Sequence, residues 1–364
     1  MPENLRKLHE LGQSPWYDNL SRAVLVSGEI EGLLQRGIRG ITSNPTIFEH
    51  AMSAGDAYDE ALRQHAERGT SGVDAYWDLV VHDIASACEV FAKLHASSDG
   101  VDGFVSVEVA PDLANDVAGT TAMAKDLVSR IGRPNVMIKI PGTEIGLQAV
   151  EDVLAEGISV NVTLIFGLRR YGAVMDAFVR GARRYQESGG DLSDLHSVAS
   201  FFVSRVDTEV DTRLAEDDSR RGQAAVANAR LAYRQFETRR SQADWSDLAA
   251  SGLRPQRPLW ASTSTKNPAY SKTLYVDTLI GQDSVNTLAP ASIDALDGVS
   301  ASALVPDAIV RGYDEASALV ASLKTDGVNL DEVASLLENQ GVASFLASYQ
   351  HGLETISKRL AEHG

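Results

Sequence analysis

The 364-residue sequence predicts an α/β fold, a single (β/α)8 barrel with extra helices, on three observations. Short apolar runs alternate with amphipathic stretches of helical spacing, which implies parallel strands joined by crossover helices. There are eight such runs, the number that closes a barrel. Polar residues collect at the carboxyl ends of the runs, where barrel enzymes keep their chemistry.

The first run is SPWYDNL (14–20), in which Asp18 follows Trp16 and Tyr17. RGITSNP (39–45) comes second and closes on Thr42 and Asn44; the stretch 49–100 behind it is long enough for two helices. FVSVEVAP (104–111) carries Glu108, and Val117, Thr121, Ala124, Val128 and Ile131 then fall on one helical face. The fourth run, NVMIKIPGT (135–143), holds a lysine among β-branched residues and stops at a Pro-Gly turn. A helix bearing Leu147, Val150 and Leu154 leads to GISVNVTLIF (157–166), and a longer one bearing Tyr171, Met175, Phe178, Ala182 and Tyr185 leads to HSVASFFVSR (196–205). RPLWASTST (257–265) and DSVNTLAP (283–290) complete the set. Residues 206–253 exceed a single crossover and read as a charged helical insertion with a solvated face. Residues 306–364 read as helices packed on the outside of the barrel. With no low-complexity linker and no internal repeat, residues 1–364 are expected to form one domain, although the length alone would also fit two.

Composition narrows the function. Fifty acidic residues against 33 basic ones give a net charge of -17, which disfavours nucleic acid and anionic membranes as partners. An anionic substrate remains compatible, provided a few cations are placed locally. Cys88 is the only cysteine, which excludes internal disulfides and thiolate zinc clusters, and its helical surroundings make it core. The opening residues are charged and polar and lack a signal-peptide pattern, and no apolar run reaches membrane-spanning length, so a cytoplasmic protein is expected.

The lysine of the fourth run demands an explanation. Side chains alternate across a strand, so Lys139 shares a face with Met137, while Ile138 and Ile140 point the other way. In a barrel that face looks inward. A lysine there is either ion-paired with a barrel carboxylate or serves as an amine nucleophile, because desolvation favours the neutral form that attacks a carbonyl. The strand alone does not choose between these. Asp18, Glu108, Thr42 with Asn44, and Asn161 with Thr163 stand at neighbouring strand ends, each pair at the alternate spacing that shares a face. Together they supply a nucleophile, proton acceptors and groups that orient hydroxyls, the components of Schiff-base chemistry on a sugar. Ser200, Arg205, Ser262 and Lys266 lie at or beyond the ends of the sixth and seventh runs, where barrels often bind phosphate. Arg205 offers a planar fork and Lys266 a point charge.

These residues resemble those of the transaldolase family. The likeness spans roughly residues 18–290 and rests on five motifs in the family's order: GITSNPTIF (40–48), VMIKIPGTEIGLQA (136–149), GISVNVTLIF (157–166), SFFVSR (200–205) and WASTSTKNP (260–268). The resemblance implies a single eight-stranded barrel that transfers a dihydroxyacetone unit from a ketose phosphate to an aldose phosphate, with no metal or organic cofactor. It makes Lys139 the Schiff-base lysine and Asp18 the general acid/base, with Glu108 and Thr163 holding a catalytic water. Thr42, Asn44, Asn161 and Ser262 match positions that contact the three-carbon unit or substrate hydroxyls. Ser200 and Arg205 match the phosphate site, and Phe202 an aromatic lining position. Where many members carry a second arginine just past the serine that matches Ser262, this chain has Ser264, with Lys266 nearby. The 206–253 insertion points to a longer, actinobacterial-like subgroup, expected to be monomeric or homodimeric. A fructose 6-phosphate aldolase-like lyase is the close alternative, disfavoured by Glu108 and Phe202, where those shorter relatives have glutamine and tyrosine. A non-catalytic sugar-phosphate-binding barrel is the alternative of another class; it would need neither the lysine nor two carboxylates.

Overall fold

A computed structural model describes residues 3–363; Met1, Pro2 and Gly364, part of the expected domain, lie outside the described residues. All eight expected runs are strands: β1 (Gln13–Asp18), β2 (Gly40–Thr42), β3 (Phe104–Glu108), β4 (Val136–Pro141), β5 (Val160–Ile165), β6 (Ser197–Phe202), β7 (Arg257–Ala261) and β8 (Ser284–Leu288). They pair in sequence order, every pair parallel, and β1 also pairs with β8 to close the barrel. Apart from Asp18 every strand residue is buried, as expected when one face fills the barrel and the other meets helices.

Local chemistry sets the strand ends. β2 is only three residues long because Asn44 leaves the ladder to cap the helix Pro45–Ser53, its Oδ1 accepting the Ile47 N–H at 3.0 Å with Pro45 at the first helical position. Gly40 is required where β2 crosses the indole of Trp16, since a Cβ there would lie 2.6 Å from the ring. β4 stops at Pro141, and Thr143 Oγ1 then accepts the Gly146 N–H at 2.9 Å to open the next helix.

The β2–β3 connection holds three helices, Pro45–Ser53, Asp59–Glu67 and Gly72–Ser97, the last two of them wholly within residues 49–100. Residues 206–253 supply most of Ser204–Arg213 and all of Ala224–Arg239 and Ala243–Ala250; the second of these buries Ala225, Ala229, Ala232, Tyr233 and Phe236. The last helix, Leu330–His363, has 34 residues and so is about 50 Å long. It packs on the three helices of the β2–β3 connection and reaches β5, and so lies across the carboxyl end of the barrel. Among the described residues no helix is long and apolar enough to cross a membrane.

Candidate active site at the carboxyl end of the barrel

Alternation along the strands sends one residue in two into the barrel, and the last inward residue of each strand reaches its mouth. A cavity of about 300 Å³ opens there, lined by Asp18, Thr42, Asn44, Lys139, Ser200, Phe202, Arg205, Ser262 and Lys266. Nine of the twelve expected site residues therefore share one cavity. Glu108, Asn161 and Thr163 do not line it and are buried beside or beneath it.

Lys139 is 4% exposed. Its Nζ lies 3.2 Å from Glu108 Oε2 and donates to the Ser43 carbonyl at 3.1 Å. Of the two explanations raised by its strand, the ion pair is present, and the amine also faces an open cavity. Glu108 is equally buried, and burial raises its pKa against the opposing pull of Lys139. Apart from that ion pair its two oxygens have no hydrogen-bond partner among the described residues, and neither does the buried Thr163 Oγ1. Unpartnered polar atoms of this kind are costly and mark a place for water or a substrate atom. Asp18 accepts a hydrogen bond from Thr42 Oγ1 at 2.8 Å. Burial raises its pKa as well, opposed by Lys139, the Thr42 bond and Lys266.

Below Lys139 a short polar chain fixes Asn161. Its Nδ2 donates to Ser106 Oγ at 3.1 Å, and its Oδ1 accepts from Ser200 Oγ at 2.7 Å. β5 is irregular at this level: its register with β6 breaks between Val162 and Ile165, and Leu164 sits in the left-handed region with φ 59°. Such bulges re-aim side chains next to functional sites, and here the irregularity falls beside Thr163.

On the opposite wall the Arg205 guanidinium lies 5.5 Å from the Phe202 ring centre at the start of the helix Ser204–Arg213. Neither Arg205 nor the exposed Lys266 has a carboxylate within ion-pairing distance among the described residues, and burial disfavours the charge of Arg205. Two uncompensated cations in one pocket of an acidic chain form a site for an anion. Ser262 adopts φ 55°, its carbonyl accepting the Ser204 N–H at 3.0 Å and its hydroxyl 2.9 Å from Ser204 Oγ. Ser264 also lines the cavity, but its hydroxyl pairs with Ser292 at 2.7 Å.

Sequence reasoning missed Ser344 and Phe345, which the last helix contributes to the cavity, the Phe345 ring centre lying 5.7 Å from Lys139 Nζ. It also missed Ser106, whose position two residues before Glu108 on one strand face was a usable signal. No group of three or more His, Cys, Asp or Glu suited to a metal ion occurs among the described residues.

A family model described as Transaldolase/Fructose-6-phosphate aldolase matches residues 15–356. A transaldolase of Thermobifida fusca (strain YX) is 48% identical over 370 residues, covering all of both chains. Transaldolases of Frankia alni and Mycolicibacterium paratuberculosis are 44% and 45% identical, over 100% and 98% of this chain and 99% and 97% of their own. With this likeness running the length of the barrel and its cavity, the chain belongs to the transaldolase family.

Proposed function

We propose the following course for the transaldolase reaction on this chain. Neutral Lys139, its proton passed to Glu108, attacks the C2 ketone of sedoheptulose 7-phosphate or fructose 6-phosphate. The carbinolamine loses water to the site between Glu108 and Thr163 and becomes an iminium. Asp18 then takes the proton of the C4 hydroxyl as the C3–C4 bond breaks. The bond's electron pair moves to the iminium nitrogen, an enamine forms, and the aldose phosphate departs. Glyceraldehyde 3-phosphate or erythrose 4-phosphate enters, the enamine carbon attacks its aldehyde, and Asp18 returns the proton. Hydrolysis by the held water frees Lys139.

The observation that carries this reading is Lys139 itself, 4% exposed, in contact with Glu108 and close enough to Asp18 to oppose the effect of its burial. Two carboxyl groups whose proton affinity burial has raised suit proton transfer near neutrality. Thr42, Asn44, Asn161 and Ser262 would hold the three-carbon unit, and Ser200, Phe202, Arg205 and Lys266 the phosphate end. Lys266 takes the part of the missing second arginine. We take residues 1–364 as one domain that includes the 206–253 and 306–364 helices, working in the cytoplasm as a monomer or homodimer; sedimentation of the purified protein tests the last point.

Borohydride reduction in the presence of fructose 6-phosphate tests the chemistry. Wild type should gain a three-carbon adduct on Lys139, and Lys139→Met should gain none while staying folded, since an apolar substitute removes a desolvation cost. A silent sugar-phosphate binder would gain no adduct, and a lyase would release free dihydroxyacetone without any acceptor. Full turnover by a folded Lys139→Met protein would overturn the mechanism.

A further inference from the structure

The barrel has a second cavity at its other end. About 250 Å³ in volume, it lies at the amino ends of β3, β4, β6 and β7, where barrel enzymes carry no catalytic groups. Phe104, Met137 and Val198 give it an apolar floor, and Arg240, Arg254, Arg257 and His196 wall it. Asp283 is the only carboxylate in the lining. Three guanidiniums thus converge on one pocket of a chain whose net charge is -17.

Structural contacts use up most donors of only one of the three. Arg257 is committed: its Nη1 meets Asp102 at 3.3 Å and donates to Ser14 Oγ at 3.0 Å, and its Nη2 donates to the Val101 carbonyl at 2.7 Å. Asp102 is 1% exposed at its side chain and is also held by Arg39 at 2.8 Å and Ser14 at 2.7 Å. That network ties Arg257 to Asp102, a buried carboxylate shared between two guanidiniums. Arg254 donates once, to Asp99, whose side chain is 94% exposed, and Arg240, whose guanidinium lies 5.2 Å from the Phe236 ring centre, donates once, to the partly exposed Asp283. Exposed pairs of this kind add little stability. A guanidinium has five N–H donors, so Arg240 and Arg254 each keep most of theirs without a protein acceptor among the described residues. His196, edge-on to His95 and tilted against Phe104, is held neutral by burial and by Arg254, with a pKa pushed down to about 4. It therefore adds a polar ring edge without adding another cation.

We infer that this cavity is a second anion site for a small dianionic metabolite, a phosphate ester or a dicarboxylate, which sets its charged end on Arg240 and Arg254 and its carbon skeleton on Phe104, Met137 and Val198. The planar forks of two arginines match oxyanion geometry, and the apolar floor matches a short carbon chain. At about 250 Å³ the cavity is close in size to the roughly 300 Å³ one at the mouth, a scale that suits a small metabolite.

Because the catalytic mouth also binds phosphate, the test silences it first. In the full-length Arg205→Gln/Lys266→Gln protein, calorimetry at low ionic strength with inorganic phosphate and, separately, succinate should find one remaining site per chain. Adding Arg240→Gln and Arg254→Gln should weaken that site about tenfold or more, as expected for lost charge-assisted hydrogen bonds. Saturating ligand should shift the His196 ring signals in NMR spectra of the mouth-silenced protein. Arg240→Gln/Arg254→Gln in the otherwise wild-type enzyme should leave turnover in anion-free buffer unchanged, showing that the fold survives. Binding of phosphate alone points to a phosphate ester, and binding of succinate alone to a dicarboxylate. Failure of the mouth-silenced protein to bind either anion at millimolar concentration would overturn the inference, as would binding that the two arginine substitutions leave unaltered.

Discussion

A carboxyl group near a buried lysine can serve as an ion-pair partner or as a proton acceptor, and Asp18 and Glu108 differ in position in a way that bears on the proposed roles. Glu108 touches the amine, whereas Asp18 is held by Thr42 and faces the cavity. Asp18→Asn should therefore still let the ketose condense with Lys139, but slow carbon–carbon cleavage by about 100- to 10,000-fold, the usual loss for an acid/base group. Mass spectrometry should show the covalent adduct accumulating; lost turnover without an adduct would assign Asp18 to binding instead. Stability should move the other way. Burial places the folded-state pKa of Asp18 above its ordinary 3.8, so its ionisation opposes folding at neutral pH, and the asparagine variant should gain Tm there but not below about pH 4. On the far wall, Arg205 has no carboxylate partner among the described residues, so Arg205→Ala should cost about tenfold to more than a hundredfold in kcat/KM for fructose 6-phosphate, matching a lost charged hydrogen bond of about 1.5–3 kcal/mol. Unphosphorylated fructose should react about equally poorly with either protein, which makes the comparison a double-mutant cycle between guanidinium and phosphate. Equal losses on both ketoses would move the phosphate site toward Lys266.

At the scale of elements, the last helix decides how closed the site is. It approaches β5 at Gly341, where a Cβ would lie 2.8 Å from Leu164, and one turn later Phe345 stands over Lys139. An aromatic face within about 6 Å of a cation contributes about 0.5–2 kcal/mol. In the proposed reaction the attacking amine is neutral and the iminium formed from it is a cation, so the ring would favour the intermediate over the attacking form. Phe345→Leu keeps a buried apolar side chain and should cost less than about 1.5 kcal/mol of stability. Its kcat should nevertheless fall about two- to thirtyfold, with less adduct trapped by borohydride at a given substrate concentration. Unchanged trapping and turnover would reduce Phe345 to a packing residue.

Across the whole molecule, stability depends on pH through groups far from the mouth. His196 lies at the amino end of β6 among Phe104, His95, Arg254 and Arg257, and burial first, then Arg254, His95 and Arg257, push its pKa to about 4, with only Asp99 opposing them. The unfolded chain would take up this proton near pH 6.5, so between about pH 4 and 6.5 the unfolded state binds more protons than the folded one. The stabilisation is complete above pH 6.5 and is lost as the pH falls toward 4, at most about 3 kcal/mol from this group. Denaturant titrations across that window should show a shallower pH slope for His196→Gln than for wild type. Parallel curves would mean that His196 binds protons equally in both states.

The sequence alone determined the eight strands and the polar residues at their ends, because a strand buried on both faces has to be apolar, and an inward lysine, aspartate or asparagine is then conspicuous. Lys139 stood out for that reason. Phe345 did not, because it belongs to a buried stripe with Val333, Leu337, Gly341 and Tyr349, where an aromatic reads as ordinary core. Periodicity reports that a face is covered but not what covers it. Only the tertiary structure could lay that helix across the mouth, join Asn161 to Ser106 and Ser200, and leave Glu108 and Thr163 with unpartnered oxygens. The arginines of the opposite cavity, 240, 254 and 257, lie close together as the chain enters β7, and the tertiary structure sets them against the amino ends of β3, β4 and β6 to form one opening.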